Sequence, residues 1–196
     1  MPRYFFGIDL PPSVKTVLRD AQTNLQSHHI IADGWSNPDL LHVTSLFIGI
    51  VDMSFLPLLD EAGRAAARCV NPFELTTGQY GVFAKNKVLW LGLAQASEKT
   101  ALTQLHLALL SSLTGKLPVD FEERAYRPHL TLARKLKDAA RLKKVRAPEP
   151  TSFVVNELCL FESLREDGQL VYPIRQRYPL GEGHGEPESE DLLADS

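Results

Sequence analysis

The pattern His-x-Thr-x occurs twice in this chain, and each copy could place an imidazole beside a hydroxyl group. The copies span residues 42–45 (His-Val-Thr-Ser) and 129–132 (His-Leu-Thr-Leu), each within an apolar stretch that predicts a β-strand. Side chains at i and i+2 of a strand share a face, so each histidine is expected beside its threonine. Two such strands facing each other would supply a general acid, a general base and two hydrogen-bond donors. Those groups could support attack on a phosphodiester without a metal ion.

The two copies recur in similar surroundings, each in a short strand that follows a predicted helix. A lone histidine in a strand would more often be a hydrogen-bonded structural residue. The repetition instead favours a paired catalytic role for His42 and His129. The spacing between them is too long for a solenoid repeat and suggests a duplicated lobe, with two α+β halves.

Strands and helices alternate along the rest of the chain. Helical spacing of apolar residues predicts helices after Pro11, over residues 55–70 and after Ser97. Besides the two His-x-Thr strands, strands are predicted at residues 4–10, 73–77, 80–83, 88–93, 153–161 and 170–175, with turns around Trp35. This order predicts an α+β fold of two pseudo-symmetric lobes, each an antiparallel sheet with helices on its outer face. The two histidines would meet in the groove between the lobes.

Length and composition indicate a globular protein. The chain has 196 residues, of which 44% are hydrophobic, and no apolar run reaches the roughly 18 residues that span a bilayer. Asp9 interrupts the apolar N-terminus and no small-residue cleavage site follows, which argues against a signal peptide. Cys69 and Cys159 make no disulfide framework, and their apolar neighbours predict buried, reduced thiols. A cytoplasmic monomer with no membrane partner is therefore predicted.

The charge is unevenly distributed along the chain. The net charge is −3, but residues 181–196 hold six acidic residues and no lysine or arginine. The rest of the chain then has 18 of the 24 acidic residues against 21 basic ones. This mildly basic body permits contact with a short RNA end without requiring it. We expect residues 1–180 to form the bilobal domain and residues 181–196 to form an acidic, disordered tail.

Several segments outside the two motifs point to one family. They are residues 5–12 (Phe-Phe-Gly-Ile-Asp-Leu-Pro-Pro), Trp35 with residues 40–44, residues 88–92 (Val-Leu-Trp-Leu-Gly), residues 127–134 (Arg-Pro-His-Leu-Thr-Leu-Ala-Arg), residues 160–163 (Leu-Phe-Glu-Ser) and the closing strand with Tyr172. With them the chain resembles the 2H phosphoesterase superfamily over about residues 3–180. Within it, the chain is similar to the RNA 2′,3′-cyclic phosphodiesterases, also called 2′-5′ RNA ligases. Ser45 departs from the family pattern, which commonly has leucine there, and the acidic tail lies outside it.

The resemblance implies hydrolysis of a terminal 2′,3′-cyclic phosphate on RNA to a 2′-phosphomonoester, with no cofactor. By the family pattern, His129 is the base that takes a proton from water, and His42 is the acid that protonates the departing 3′ oxygen. The two motifs are nearly equivalent, so the residues themselves do not decide between these roles. Imidazole titrates near ~6.5, so a neutral and a protonated histidine can coexist near neutral pH. Thr44 and Thr131 would donate hydrogen bonds to the non-bridging phosphate oxygens. The alternative explanation is that threonine occurs at these positions only because it is common in β-strands.

Three further residues are weaker candidates. Arg134 could bind the substrate phosphate. Alternatively, it is only a solvated basic residue at the end of a strand. Phe47 could stack on the terminal base of the RNA. The family resemblance favours this role if the strand bulges or ends there. Simple alternation of faces from His42 instead points Phe47 into the core. Arg127 lies two residues before His129, so its side chain would share the face of His129 in a strand and could also reach the groove. No histidine clusters in sequence with other metal-binding residues, so no metal site is predicted.

Other functions stay open on the sequence alone. The same site could run in reverse as a 2′-5′ ligase, or act on another small cyclic phosphodiester. A non-catalytic module that binds RNA ends is a second alternative, which the presence of both complete motifs disfavours. The basic residues between Lys135 and Arg146 would favour RNA over a small substrate.

Overall fold

The structure is a computed structural model that describes residues 2–94, 97–119, 121 and 125–181, with the backbone alone at 97–99. The strands are β1 (Arg3–Asp9), β2 (Ala32–Trp35), β3 (His42–Ile50), β4 (Phe73–Phe83), β5 (Val88–Leu93), β6 (His129–Leu136), β7 (Ser152–Val155), β8 (Glu157–Glu166), β9 (Gln169–Val171) and β10 (Ile174–Pro179). The α-helices are α1 (Pro12–Ser27), α2 (Leu56–Arg68) and α3 (Ser97–Leu113). Short 3₁₀ turns cover Pro38–Leu40, Met53–Phe55 and Arg141–Lys144. The predicted acidic tail lies outside the described residues, apart from Gly181.

Two antiparallel sheets build the two lobes. The first sheet has the order β10-β8-β1-β3, with β9 paired to β8, and the second has the order β2-β6-β5-β4-β7. Each sheet carries one His-x-Thr strand, β3 at the edge of the first sheet and β6 inside the second. The predicted α+β class, with two antiparallel lobes, is therefore confirmed.

The lobes interleave along the chain, which differs from the predicted succession of two halves. The first sheet takes strands from both ends of the chain, whereas the middle of the chain builds most of the second. β2 was expected only as turns, yet it pairs with β6 in the second sheet. The strand predicted over residues 153–161 is in fact two strands, β7 in the second sheet and β8 in the first. Apolar residues continue on both sides of Asn156, so the local pattern does not reveal where the chain changes sheets.

Each helix buries an apolar stripe, as the predicted spacing requires. The buried apolar side chains are Val14, Leu18, Ala21 and Leu25 in α1, Leu59, Ala62, Ala66 and Ala67 in α2, and Leu102, Leu105, Leu109 and Leu113 in α3. These stripes and both sheets share one large hydrophobic core. A second, smaller cluster of Phe5, Cys159 and Phe161 lies on the first sheet, apart from that core.

β3 and β6 contain the same irregularity at the same distance from their histidines. Ser45 in β3 and Leu132 in β6 are extra residues that have no partner in the register of the neighbouring strand. Each stands three residues after the histidine of its strand. A bulge of this kind reverses the alternation of faces beyond it. Residues five positions after each histidine therefore return to the face of that histidine.

The two cysteines differ in exposure. Cys159 is buried, whereas Cys69 is exposed, so the prediction of two buried thiols is wrong for Cys69. Cys69 caps the C-terminus of α2, beyond the last buried turn of that helix. Within the described residues, every helix is too short or too polar to cross a membrane.

Candidate active site

The two motif histidines are held by the backbone in the same way. Nδ1 of His42 lies 2.8 Å from the carbonyl oxygen of Leu40, and Nδ1 of His129 lies 2.7 Å from that of Arg127. A carbonyl oxygen can only accept, so Nδ1 carries a proton in each ring and donates it. Nε2 is then the nitrogen that can exchange protons with a substrate. Both His-x-Thr strands therefore present the same tautomer.

Aromatic rings pack against each imidazole. His42 stacks on Phe5, with ring centroids 4.5 Å apart, and meets the edge of Tyr172 at 5.3 Å. His129 packs edge-on against Phe83, with centroids 4.8 Å apart. These contacts fix the plane of each ring, while the hydrogen bond at Nδ1 fixes its rotation.

Burial lowers the pKa of both histidines below the ordinary imidazole value. For His42, desolvation is the largest cause; the Leu40 carbonyl and the Asp9 carboxylate oppose it, and the charge of His129 lowers the pKa further. For His129, desolvation again dominates in lowering the pKa, and the positive charge of Arg134 adds to it. The neutral form is favoured in both rings. The hydrogen bond to the Leu40 carbonyl, and after it the Asp9 carboxylate, are the influences that favour the protonated form of His42.

The two His-x-Thr strands lie beside each other, and Tyr126 connects them. β3 forms the edge of the first sheet, and β6 of the second sheet runs close to it. Tyr126, three residues before His129, donates a hydrogen bond of 2.9 Å to the carbonyl oxygen of Thr44. The charge of His129 also lowers the pKa of His42. The structure thus brings the two motifs together, and their catalytic roles stay predictions.

Thr44 and Thr131 lie on the same face as their histidines. In both strands the histidine and the threonine are half-buried, while the residue between them is buried. This arrangement is the alternation that the sequence predicts for an i, i+2 pair. Both hydroxyls therefore stand beside an imidazole, one in each lobe.

The bulges bring Phe47 and Arg134 to the face of the histidines. Phe47 is 59% exposed, so the expectation that alternation buries it in the core is wrong. Its partner across the ladder is Phe5, the ring that stacks on His42. Arg134 is also exposed, and its charge lowers the pKa of His129. Both residues stand where they could contact a substrate, and their binding roles stay predictions.

Tyr172 belongs to the site, although sequence reasoning placed it only in a closing strand. It lies between β9 and β10 and packs edge-on against His42. Burial raises the pKa of Tyr172, and the charge of Arg134 from the other lobe opposes that shift. Tyr172 therefore contacts His42 of one lobe and lies near the Arg134 cation of the other. No local pattern marks such a residue, because its position depends on how the chain returns to the first sheet.

A pocket of about 520 Å³ opens beside His129. Its walls include Phe83, Trp90, Tyr126 and Arg127. Arg127, which the sequence predicts to reach the groove, thus lines a cavity next to the site. Among the described residues, no three histidine, cysteine, aspartate or glutamate side chains come together in a way that could hold a metal ion.

Comparison with known proteins agrees with this geometry. The family model of the 2′-5′ RNA ligase superfamily matches residues 11–167. The chain belongs to this superfamily. Within the superfamily, the RNA 2′,3′-cyclic phosphodiesterase of Thermus thermophilus is 27% identical over 194 residues, which cover 96% of this chain and 95% of the relative. The RNA 2′,3′-cyclic phosphodiesterase of Escherichia coli is 29% identical over 185 residues, which cover 91% and 96%.

A solved structure within the same superfamily shares the fold. Escherichia coli LigT complexed with 3′-AMP matches with a TM-score of 0.69 at 29% identity, covering 91% of this chain and 98% of LigT. The predicted 2′-5′ RNA ligase family is therefore confirmed, and with it the prediction that the chain is an enzyme.

Proposed function

We propose that the chain hydrolyses the 2′,3′-cyclic phosphate at the end of an RNA and leaves a 2′-phosphomonoester, without a metal ion. The observation that carries the proposal is the matched pair of imidazoles, each bonded through Nδ1 to a carbonyl oxygen. A cyclic phosphate is a strained diester, so its opening needs only water, a base and an acid. The names of the relatives from Thermus thermophilus and Escherichia coli support the substrate class.

In the proposed reaction, Nε2 of neutral His129 takes a proton from water while the water oxygen attacks phosphorus. The bond between phosphorus and the 3′ oxygen breaks, and the 3′ oxygen takes a proton from Nε2 of protonated His42. The 2′ ester bond remains. Thr44 and Thr131 donate hydrogen bonds to the non-bridging oxygens, on which negative charge increases in the transition state. Each acid–base group contributes about 10²–10⁴-fold to the rate.

The residues beyond the two bulges hold the substrate in this proposal. Phe47 stacks on the terminal base, and Arg134 binds phosphate. The complex of LigT with 3′-AMP supports a nucleotide ligand for this fold. The proposal includes an RNA end as the partner, a monomeric protein, a cytoplasmic location and no cofactor.

Hydrolysis of a short RNA that ends in a 2′,3′-cyclic phosphate, measured with EDTA present, tests the proposal. The wild type should produce a 2′-phosphate, and His42→Ala and His129→Ala should each lower kcat by about 10²–10⁴-fold. His28→Ala is the matched control, because the exposed His28 also bonds a carbonyl oxygen through Nδ1. A 3′-phosphate product, or loss of the wild-type activity in EDTA, would contradict the mechanism.

The pocket beside His129 favours one second activity. Its volume of about 520 Å³ is far larger than the ~10–15 Å³ that a cavity needs to hold one water molecule. An alcohol oxygen carried by a second nucleoside could therefore replace the attacking water. The same acid and base would then join the RNA end to a 5′-hydroxyl through a 2′-5′ linkage. Adding an RNA with a free 5′-hydroxyl should yield that linked product, and hydrolysis alone at millimolar acceptor would count against ligation.

A further inference from the structure

A helix side chain donates a hydrogen bond to the backbone at each of the two bulges. In β3, the carbonyl oxygen of Ser45 accepts a hydrogen bond of 2.8 Å from Nδ1 of His106 in α3. In β6, the carbonyl oxygen of Leu132 accepts a hydrogen bond of 2.9 Å from Nε2 of Gln22 in α1. Ser45 and Leu132 are the extra residues of the bulges. Each lobe therefore uses a different helix for the same task.

The bulged backbone offers acceptors to these donors. The extra residue of a bulge leaves the ladder with one neighbouring strand, so its carbonyl oxygen is open to a donor from elsewhere. At Leu132 the backbone N–H of Ser36 also donates to this oxygen, at 2.9 Å, and Gln22 is the second donor. Ser45 is 1% exposed and Leu132 is fully buried, so bulk water does not reach them. Gln22, at 5% exposure, is a polar side chain on the otherwise apolar face of α1. Its burial is explained by the two carbonyl oxygens that it contacts, those of Leu132 and Ser36.

His106 acts together with Tyr126. Their rings lie parallel, with centroids 4.4 Å apart and an angle of 4° between the planes. Tyr126 donates to the carbonyl oxygen of Thr44, and His106 donates to the next one along β3, at Ser45. A stacked pair therefore holds two consecutive carbonyl groups at the place where β3 bulges.

The bulges decide which side chains can face a substrate. A shift of one residue exchanges the two faces of a strand. Without the extra residues, Phe47 and Arg134 would point away from the histidines and into the core. With them, both residues lie on the face that carries His42 in β3 and His129 in β6.

We propose that Gln22 and His106 are positioning residues, each for one substrate-facing side chain. Gln22 sets the place of Arg134 through the bulge of β6, and His106 sets the place of Phe47 through the bulge of β3. Neither Gln22 nor His106 contacts the substrate. The functional readout rests on the proposed RNA phosphodiesterase activity, whereas the hydrogen bonds do not.

Single substitutions give the first readout. Gln22→Met removes the donor with little change in volume and should raise KM for a cyclic-phosphate RNA about tenfold, with a smaller effect on kcat. Gln26→Met is the matched control, because Gln26 lies on the exposed side of the same helix. His106→Leu should raise KM similarly. His106→Asn keeps a donor near the position of Nδ1 and should recover part of that loss.

Double-mutant cycles give the decisive readout. In an Arg134→Ala background, Gln22→Met should change KM by less than about twofold, because its effect passes through Arg134. In a Phe47→Ala background, Gln22→Met should raise KM by the same factor as in the wild type. His106→Leu should change KM little in a Phe47→Ala background and fully in an Arg134→Ala background. Equal and additive effects in both backgrounds would mean that the two residues only stabilise the fold, and this result would overturn the proposal.

Binding provides a readout that needs no turnover. The same cycles can be measured as the Kd for an RNA oligonucleotide that ends in a 2′-phosphate. If the wild type binds this RNA but does not open a cyclic phosphate, the proposed function fails while the cycles still test the positioning residues. If the wild type neither binds nor reacts, both proposals are overturned.

Discussion

Two imidazoles with the same backbone contacts have different charged neighbours. The Asp9 carboxylate lies across the ladder from His42 and raises its pKa, in opposition to burial. Arg134 is the charged group that acts on His129, and it lowers the pKa of that ring. A nearby carboxylate favours the imidazolium form, and a nearby cation favours neutral imidazole. The charges of His129 and Lys15 act against Asp9 at His42, so the assignment of His42 as the proton donor and His129 as the base stays a prediction.

Removing the carboxylate should shift the pH profile in a predictable direction. Asp9→Asn takes away an influence that raises the pKa of His42, so His42 should lose its proton at lower pH. Because a general acid works only when protonated, the alkaline limb of kcat/KM against pH should move to lower pH. Lys15→Met removes a charge that lowers the same pKa, so the limb should move to higher pH. If the acidic limb moved instead, His42 would be the group with the lower of the two pKa values that the pH profile reports.

The threonine hydroxyls should affect kcat more than KM. Thr44→Val and Thr131→Val keep the shape of the side chain but remove a donor, and each should lower kcat by about 10²-fold. The reason is that the hydroxyls bind oxygens whose negative charge increases in the transition state. Steady-state kinetics on a cyclic-phosphate RNA measures the effect. Thr44→Ser and Thr131→Ser keep the hydroxyl and should stay near the wild type, so equal losses in the serine and valine variants would contradict this role.

At the scale of secondary-structure elements, β1 must leave room for the bulge of its neighbour β3. Gly7 pairs with Thr44, the residue just before the bulge. A Cβ added at Gly7 would lie 2.7 Å from the carbonyl oxygen of Val43, which is closer than a real contact allows. Because the obstacle is backbone rather than a flexible side chain, β3 itself would have to move.

Gly7→Ala should therefore lower both stability and activity. We expect the free energy of unfolding to fall by about 1–3 kcal/mol, as measured by urea denaturation. We also expect kcat/KM to fall, since the displaced segment carries Thr44. Gly34→Ala in β2 is the control, because nothing lies within 4 Å of a Cβ at that position. Equal stability changes in the two variants would show that the close approach at Gly7 is not what constrains the strand.

At the scale of the whole molecule, both ends of the described chain contribute to one lobe. β1 lies between β3 and β8, and β10 forms the far edge of the same sheet. The acidic residues of 182–196 therefore follow directly from the lobe that carries His42. Their charge opposes the phosphates of an RNA, while the rest of the chain is mildly basic.

Deleting residues 181–196 should lower KM for a cyclic-phosphate RNA at low salt. The expected cause is the loss of negative charge that competes with RNA phosphates for the basic body. The difference should disappear at high salt, since exposed charges are then screened. Replacing the six acids by their amides, at unchanged length, should have the same effect as deletion. An unchanged KM at low salt would show that the tail does not compete with RNA.

Local sequence patterns were enough to predict the class of fold and the pairing of each histidine with its threonine on one strand face. An i, i+2 pair on a strand and a 3.6-residue apolar stripe on a helix are local patterns, so His42 with Thr44, His129 with Thr131 and the three helices could be predicted. Some evidence of the bulges was also local. Two core-facing residues in succession, Leu132 and Ala133 in β6, break the alternation that a regular strand would show.

How these strands and helices meet became visible only in the folded molecule. Sheet pairing joins residues distant in sequence, so the split of residues 153–161 between two sheets and the interleaving of the lobes leave no local pattern. The placement of Tyr172 beside His42 has the same origin. Phe47 faces outward because Ser45 bulges, and that bulge is held by His106 from another part of the chain. Local patterns describe what a residue prefers, whereas its final direction depends on hydrogen bonds and packing between distant elements.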